Sequence, residues 1–179
     1  VRKLPISPLL LPTDLADVPN GKVPERLLTA IKPSGKLHHF AAESWQRLQY
    51  AAAHEGLDLV HVGDYRTMSA QEHLFLLRMR TYPDAKRTTQ TTRTWQGKTW
   101  YLHTGAPVAT PGTSNHGLGL AIDCALRVNG QSVSITAKPD GAFRSGLRFL
   151  RKCAPDLGWS WELQSEPWHL RYVLGRRLG

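Results

Sequence analysis

The chain of 179 residues reads as an α+β fold, a central antiparallel sheet with flanking helices. Three observations lead there. Apolar residues recur at helical spacing in separate stretches, strand-like runs lie between those stretches, and short turn signals join neighbouring strand runs directly. Direct turns make antiparallel hairpins rather than the strand–helix–strand order of a parallel sheet. Hydrophobic residues at 41% and charged residues at 21% suit a packed core rather than a disordered chain. No run of about 18 apolar residues exists, so no membrane-spanning helix is expected.

Taken in order, residues 1–38 hold five prolines before position 25 and little periodicity. They read as a Pro-rich N-terminal arm, laid over a domain at 39–179 or linked to it. The opening Val1-Arg2-Lys3 has the charge of an export signal, but Leu9-Leu10-Leu11 is shorter than the ~7–15 apolar residues a signal needs. The pair His38-His39 reads as solvated surface. Ala41, Trp45, Leu48 and Ala52 then form one helical stripe running to about His54, and Gly56 stops it. Leu57 to Val62 is a short strand ending at Gly63. Ser69-Ala70-Gln71-Glu72 has the capping-box pattern, so a second helix is expected from Ser69.

Residues 81–94, polar and rich in Thr and Arg, read as a loop, and Trp95 to Leu102 as a hairpin turning at Gln96-Gly97. Leu118 to Leu126 is a strand, and Asn129-Gly130 turns the chain into a partner. Phe143, Leu147, Leu150 and Ala154 line a third helix that Pro155 ends, with Arg144, Arg148, Arg151 and Lys152 off that stripe. Trp159 and Trp161 share a strand face, one expected in the core and the other a candidate groove wall. Trp168 to Val173 is the last strand. Cys124 and Cys153 belong to no CxxC motif and are expected as free thiols.

Two segments concentrate chemistry: Thr113-Ser114-Asn115-His116-Gly117-Leu118-Gly119-Leu120-Ala121-Ile122-Asp123, and Glu166-Pro167-Trp168-His169. Between them they hold two imidazoles and two carboxylates. That is enough for three ligands and one uncoordinated base, the layout of a catalytic zinc site with an open position. On a strand, Asp123 shares a face with Gly119 and Ala121, whose small side chains leave room, while Leu120, Ile122 and Cys124 face a core. His116 precedes Asp123 by seven residues, which a regular strand would place on opposite faces. A bend at Gly117 and Gly119 is needed to bring them together. His61 and His103 are rival ligands outside any motif.

Ser114-x-His116-x6-Asp123, followed about 40 residues later by Glu166-x2-His169, resembles the signature of the zinc D-Ala-D-Ala peptidases. That group includes VanX- and VanY-type enzymes and phage L-alanyl-D-glutamate endolysins, and shares the Hedgehog/DD-peptidase fold. Gly63-Asp64-Tyr65-Arg66-Thr67-x3-Gln71 resembles the upstream family motif. The resemblance implies a Zn2+ cofactor held by His116, Asp123 and His169, with Glu166 as general base and acid. It implies that Arg66 holds a substrate carboxylate or the oxyanion, and that Gln71, Ser114 and Trp168 line the site. It further implies hydrolysis of stem or cross-link peptides of bacterial peptidoglycan, by a D,D-carboxypeptidase or a lytic L-Ala-D-Glu endopeptidase. The segment from about Tyr82 to Pro107, with Trp95, Trp100 and Tyr101, is longer than in the smallest members and bears on substrate choice.

The formal charge is +9, and its placement is uneven. Residues 1–75 carry eight basic and eight acidic side chains, whereas residues 76–179 carry 15 and 6. Such an excess points to an anionic partner. No helix-turn-helix, zinc-finger or RNP-like pattern supports nucleic acid. An anionic cell-wall polymer fits better, with the protein a monomer acting outside the cell or in the wall. A non-catalytic zinc-containing wall-binding module is the alternative reading.

Overall fold

The helical stripes that include Trp45 and Leu150 share one core with the strand that carries Ile122. This computed structural model describes residues 3–87, 90–135 and 141–174. In chain order they form β1 (Leu28–Ala30), β2 (Lys36–His38), α1 (His39–His54), β3 (Leu59–Gly63), α2 (Met68–Arg78) and β4 (Met79–Arg80). There follow β5 (Thr92–Trp95), β6 (Lys98–Leu102), β7 (Ala121–Val128), β8 (Gln131–Ser134), α3 (Gly141–Cys153), β9 (Trp159–Trp161) and β10 (His169–Tyr172). The main sheet is antiparallel in the order β3-β7-β10-β9, with β8 also paired to β7. β1 and β2 form a small ribbon, and β4-β6-β5 a second sheet.

Leu120, Ile122 and Cys124 are fully buried, packed in one core with Trp45 and Leu48 of α1 and Leu150 of α3. Burying a side chain of that size stabilises by roughly 1.5–3 kcal/mol. The other face of β7 is thereby left for Asp123. Residues from the Pro-rich segment join the same core: Leu15, Val23, Leu27, Ile31 and Leu37 are all buried in it. The segment is tied down along its length, Leu4 to Gln164 by two hydrogen bonds and the Leu10 amide to the Val173 carbonyl.

Both hairpin turns form at the expected dipeptides. Gln96 and Gly97, like Asn129 and Gly130, all have positive φ, as a two-residue type I′ turn requires. The first hairpin starts earlier than expected, at Thr92, inside the stretch read as loop. It packs on α2 through a second core of Phe75, Met79, Leu102 and Val108.

Three expectations are corrected. α2 begins at Met68, because Thr67 offers a capping hydroxyl two residues before Ser69 and accepts the Ala70 amide at 3.2 Å. His38 is wholly buried rather than solvated; the N-terminal segment covers it and brings Asp14 Oδ1 to 3.2 Å from its Nε2. Trp159 and Trp161 are both in the core, so neither walls a groove. Both cysteines are free, Cys124 buried and Cys153 half-buried. Phe143 of the expected α3 stripe, and the charges at Arg2, Lys138, Asp140, Arg176 and Arg177, lie outside the residues whose side chains are described.

Candidate metal centre and its pocket

Pairing register places the first two members of the site. His169 of β10 lies directly opposite Asp123 of β7. His116 reaches them from a 3-10 turn, Asn115–Leu118, whose start is capped by the Ser114 hydroxyl. Gly119 ends that turn at φ 68°, and a side chain there would also press on the His38 amide. The turn absorbs the seven-residue separation that a strand could not. On the other side of β7 a bulge in β3 after His61 sets Gly63 against Asp123. A Cβ built on Gly63 would overlap the Asp123 carboxylate, so glycine keeps that space open.

Donor atoms of His116, Asp123 and His169 all lie within 4.8 Å of one another. His116 Nε2 is 3.4 Å from Asp123 Oδ2, and His169 Nδ1 is 3.0 Å from Asp123 Oδ1. Tetrahedral ligands at zinc distances stand roughly 3.3 Å apart, so the spacing fits. Each ring's other nitrogen is occupied. His116 Nδ1 donates to the Asp64 carbonyl at 2.8 Å, and His169 Nε2 donates to Glu162 Oε2 at 3.1 Å. Those bonds turn His116 Nε2 and His169 Nδ1 toward the Asp123 carboxylate, where a metal ion would replace the contacts they make to it. The donor set therefore suits a divalent transition metal such as zinc.

The electrostatics follow from this crowding. Burial would raise the Asp123 carboxyl, but hydrogen bonds and charge from His116 and His169 hold it well below the usual carboxylate range. Burial works against charge on His169, yet Asp123 and Glu162 outweigh it and raise it to about 9. Glu162 is lowered to about 2, chiefly by its bond to His169 against the cost of burial, with help from Asn115 and Arg171. Arg66 is lowered by burial, which Asp123 opposes and Arg78 reinforces.

A cavity of about 370 Å³ opens over the cluster. Arg66, Ser114, Glu166 and Trp168 all line it with the three candidate ligands. The Arg66 amide donates to the His116 carbonyl at 3.0 Å, which ties the upstream motif to the turn that carries His116. Glu166 makes no hydrogen bond or ion pair through its carboxylate among the described residues, and is half-buried. Gln71 is different. It is buried behind the wall, bonded to Asn20, the Arg66 carbonyl and the Gly112 amide, so it braces the site rather than lining it. The rivals fall away: His61 sits edge-on to Trp45 and 3.4 Å from Asp64, and His103 is exposed.

Glu162 and Asn115 were not anticipated. Asn115 Nδ2 donates to Glu162 Oε2 at 2.9 Å, which helps aim that carboxylate at His169. The available signal was the phase of β9: with Trp159 and Trp161 inward, Glu162 must turn toward the opposite face.

Residues 34–175 match the family model described as VanY, D-alanyl-D-alanine carboxypeptidase. The chain belongs to the VanY family. A D-alanyl-D-alanine carboxypeptidase of Enterococcus faecalis is 31% identical over 134 residues, covering 72% of this chain and 45% of that relative. The chain thus spans less than half the length of that relative. Among solved structures, a vancomycin-resistance D,D-pentapeptidase VanY in complex with Zn(II) aligns with a TM-score of 0.55 at 20% identity, covering 84% of this chain and 82% of its own. A D,D-dipeptidase VanXYg in complex with a D-Ala-D-Ala phosphinate analog aligns at 0.58 and 22% identity, over 92% and 61%. These likenesses establish the Hedgehog/DD-peptidase-like fold expected from the motifs.

Proposed function

We propose that this VanY-family chain is a zinc-dependent D-Ala-D-Ala carboxypeptidase acting on peptidoglycan stem peptides, outside the cell or in its wall. One observation carries the reading: the donor cluster His116, Asp123 and His169 shares a cavity with an unengaged Glu166 and with Arg66. His116, Asp123 and His169 would hold the zinc, which when bound would supply positive charge at the scissile carbonyl and lower the pKa of water toward neutral.

The chain's own residues then divide the work. Glu166, uncommitted and on the loop before His169, takes a proton from water and returns it to the departing amine. Arg66 binds the substrate's C-terminal carboxylate, and its charge favours the oxyanion. Ser114 and Trp168 line the wall along which the peptide lies. Glu162 is occupied with His169 and is therefore an orienting group rather than the proton carrier.

The test combines metal content with mass spectrometry of digested peptidoglycan. One zinc per chain and loss of the terminal D-Ala from pentapeptide stems are expected. New N-terminal D-Glu would move the assignment to an endopeptidase, and zinc without any new amine to a non-catalytic wall-binding module. The absence of both zinc and hydrolysis would refute the peptidase reading outright.

A further inference from the structure

Besides Arg66, two more guanidiniums line the cavity: Arg78 at the end of α2 and Arg93 on β5. None of the three has a carboxylate within ion-pair distance among the described residues, whereas Arg47, Arg87, Arg127 and Arg171 each have one. Of the cavity's carboxylates, Asp123 and Glu162 are engaged with the histidines, and Glu166 forms no ion pair with any of the three among the described residues. Guanidiniums that share about 370 Å³ repel one another, and an anion held at Arg66 leaves Arg78 and Arg93 without an ion-pair partner among the described residues.

Arg78 and Arg93 are held in place before any ligand arrives. Arg93 Nε donates to the Val108 carbonyl at 3.0 Å and Nη1 to that of Thr92 at 2.9 Å. Arg78 Nη1 donates to the Ala106 carbonyl at 3.2 Å. A guanidinium has five N–H donors, so each keeps donors to spare. The support beneath is rigid: Phe75 packs edge-on to Trp95 and Trp100, with ring centroids 5.1 and 5.2 Å away. The aromatic residues of the long 82–107 segment thus anchor the hairpin that presents Arg93.

We propose that Arg78 and Arg93 form a second anion subsite, which takes a carboxylate that the substrate peptide carries in addition to its C-terminal one. This rests on the carboxypeptidase reading, with Arg66 serving the C-terminal carboxylate. The preferred substrate is accordingly a dianionic stem peptide whose acid group upstream of D-Ala-D-Ala is free rather than amidated.

The test uses two synthetic peptides ending in D-Ala-D-Ala that differ in one upstream group, a carboxylate or its carboxamide. The zinc-loaded full chain is expected to favour the acid in kcat/KM by about tenfold, the scale of one charge-assisted hydrogen bond. Most of the difference should appear in KM and shrink as salt is added. Arg78→Gln and Arg93→Gln should each pull the acid-to-amide ratio toward one, and Arg93→Lys should retain more of it than the Gln variant. Thermal unfolding of each variant shows whether the wall is intact. A ratio near one in the wild type overturns the subsite, as does a ratio unmoved by both Gln variants. If neither peptide is cleaved, the carboxypeptidase reading fails separately. Calorimetric binding of the same pair then decides the subsite: tighter binding of the acid supports it, equal binding overturns it.

Discussion

Glu162 offers the sharpest perturbation, because it touches the proposed metal centre without belonging to it. Its Oε2 lies 3.1 Å from His169 Nε2 and 2.9 Å from Asn115 Nδ2. The bond to His169 fixes the ring so that Nδ1 faces Asp123, 3.0 Å away. Glu162→Ala frees the ring to rotate and leaves a buried N–H without its acceptor. Outer carboxylates of this kind are worth about 10- to 100-fold in metal affinity, or roughly 1.4–2.7 kcal/mol. Glu162→Gln keeps an acceptor oxygen but loses the charge, and should fall between wild type and Ala. The assay is zinc titration against a competing chelator at fixed pH, with far-UV circular dichroism to show each variant folded. If both variants hold zinc within threefold of wild type, the orienting role is wrong. If Glu162→Gln instead keeps zinc and loses all turnover, Glu162 and not Glu166 carries the proton.

Three further outcomes are expected. Glu166→Gln should keep its zinc, read by elemental mass spectrometry, while kcat for D-Ala release drops by about 10²–10⁴; retained turnover would remove Glu166 from the mechanism. Gly63→Ala should push the Asp123 carboxylate out of line and cost about 1–3 kcal/mol in urea unfolding, with weaker zinc binding. His38 is held near 4 rather than 6.5, by burial first and His39 second, with Asp14 opposing. Between those values the unfolded chain binds a proton that the folded one refuses. Stability is therefore full above about pH 6.5 and falls, by on the order of 2–3 kcal/mol, as pH drops toward 4. Urea midpoints for wild type and His38→Gln should diverge across that window, and parallel curves would discard the assignment.

Much of the site was legible because its members lie close together in the sequence or on regular elements. The stripe Ala41, Trp45, Leu48 and Ala52 and the turn Asn129-Gly130 are local signals, and local structure obeyed them. His116, Asp123, Glu166 and His169 were recognisable as a set from spacing and motif, although only pairing register could show Asp123 opposite His169. What escaped depended on contacts between distant segments. His38 looked exposed because its cover, Asp14 and the surrounding arm, lies in a stretch with no periodicity. Gln71 looked like a site residue because it stands in the motif, but its partners at positions 20 and 112 turn it inward. Glu162 needed the β9–β10 register, which the length of the connecting loop alone does not specify.

The uneven charge now divides into two populations with different physics. Arg144, Arg148 and Lys152 on α3 are exposed, so their field is screened within a Debye length of about 8–10 Å in ordinary salt. Such charges raise the encounter rate with an anionic polymer but cannot tell one peptide from another. Arg66, Arg78 and Arg93 face a shared cavity, where less water intervenes and backbone carbonyls hold the Arg78 and Arg93 guanidiniums. There the same sign of charge selects a substrate by its number and placement of carboxylates. Arg66 comes from the half of the sequence with no net charge and Arg93 from the long hairpin, so the cavity's character is created by folding rather than by the basic half alone. It follows that salt should act on the two populations separately, slowing capture by whole cell wall more steeply than cleavage of a small neutralised peptide.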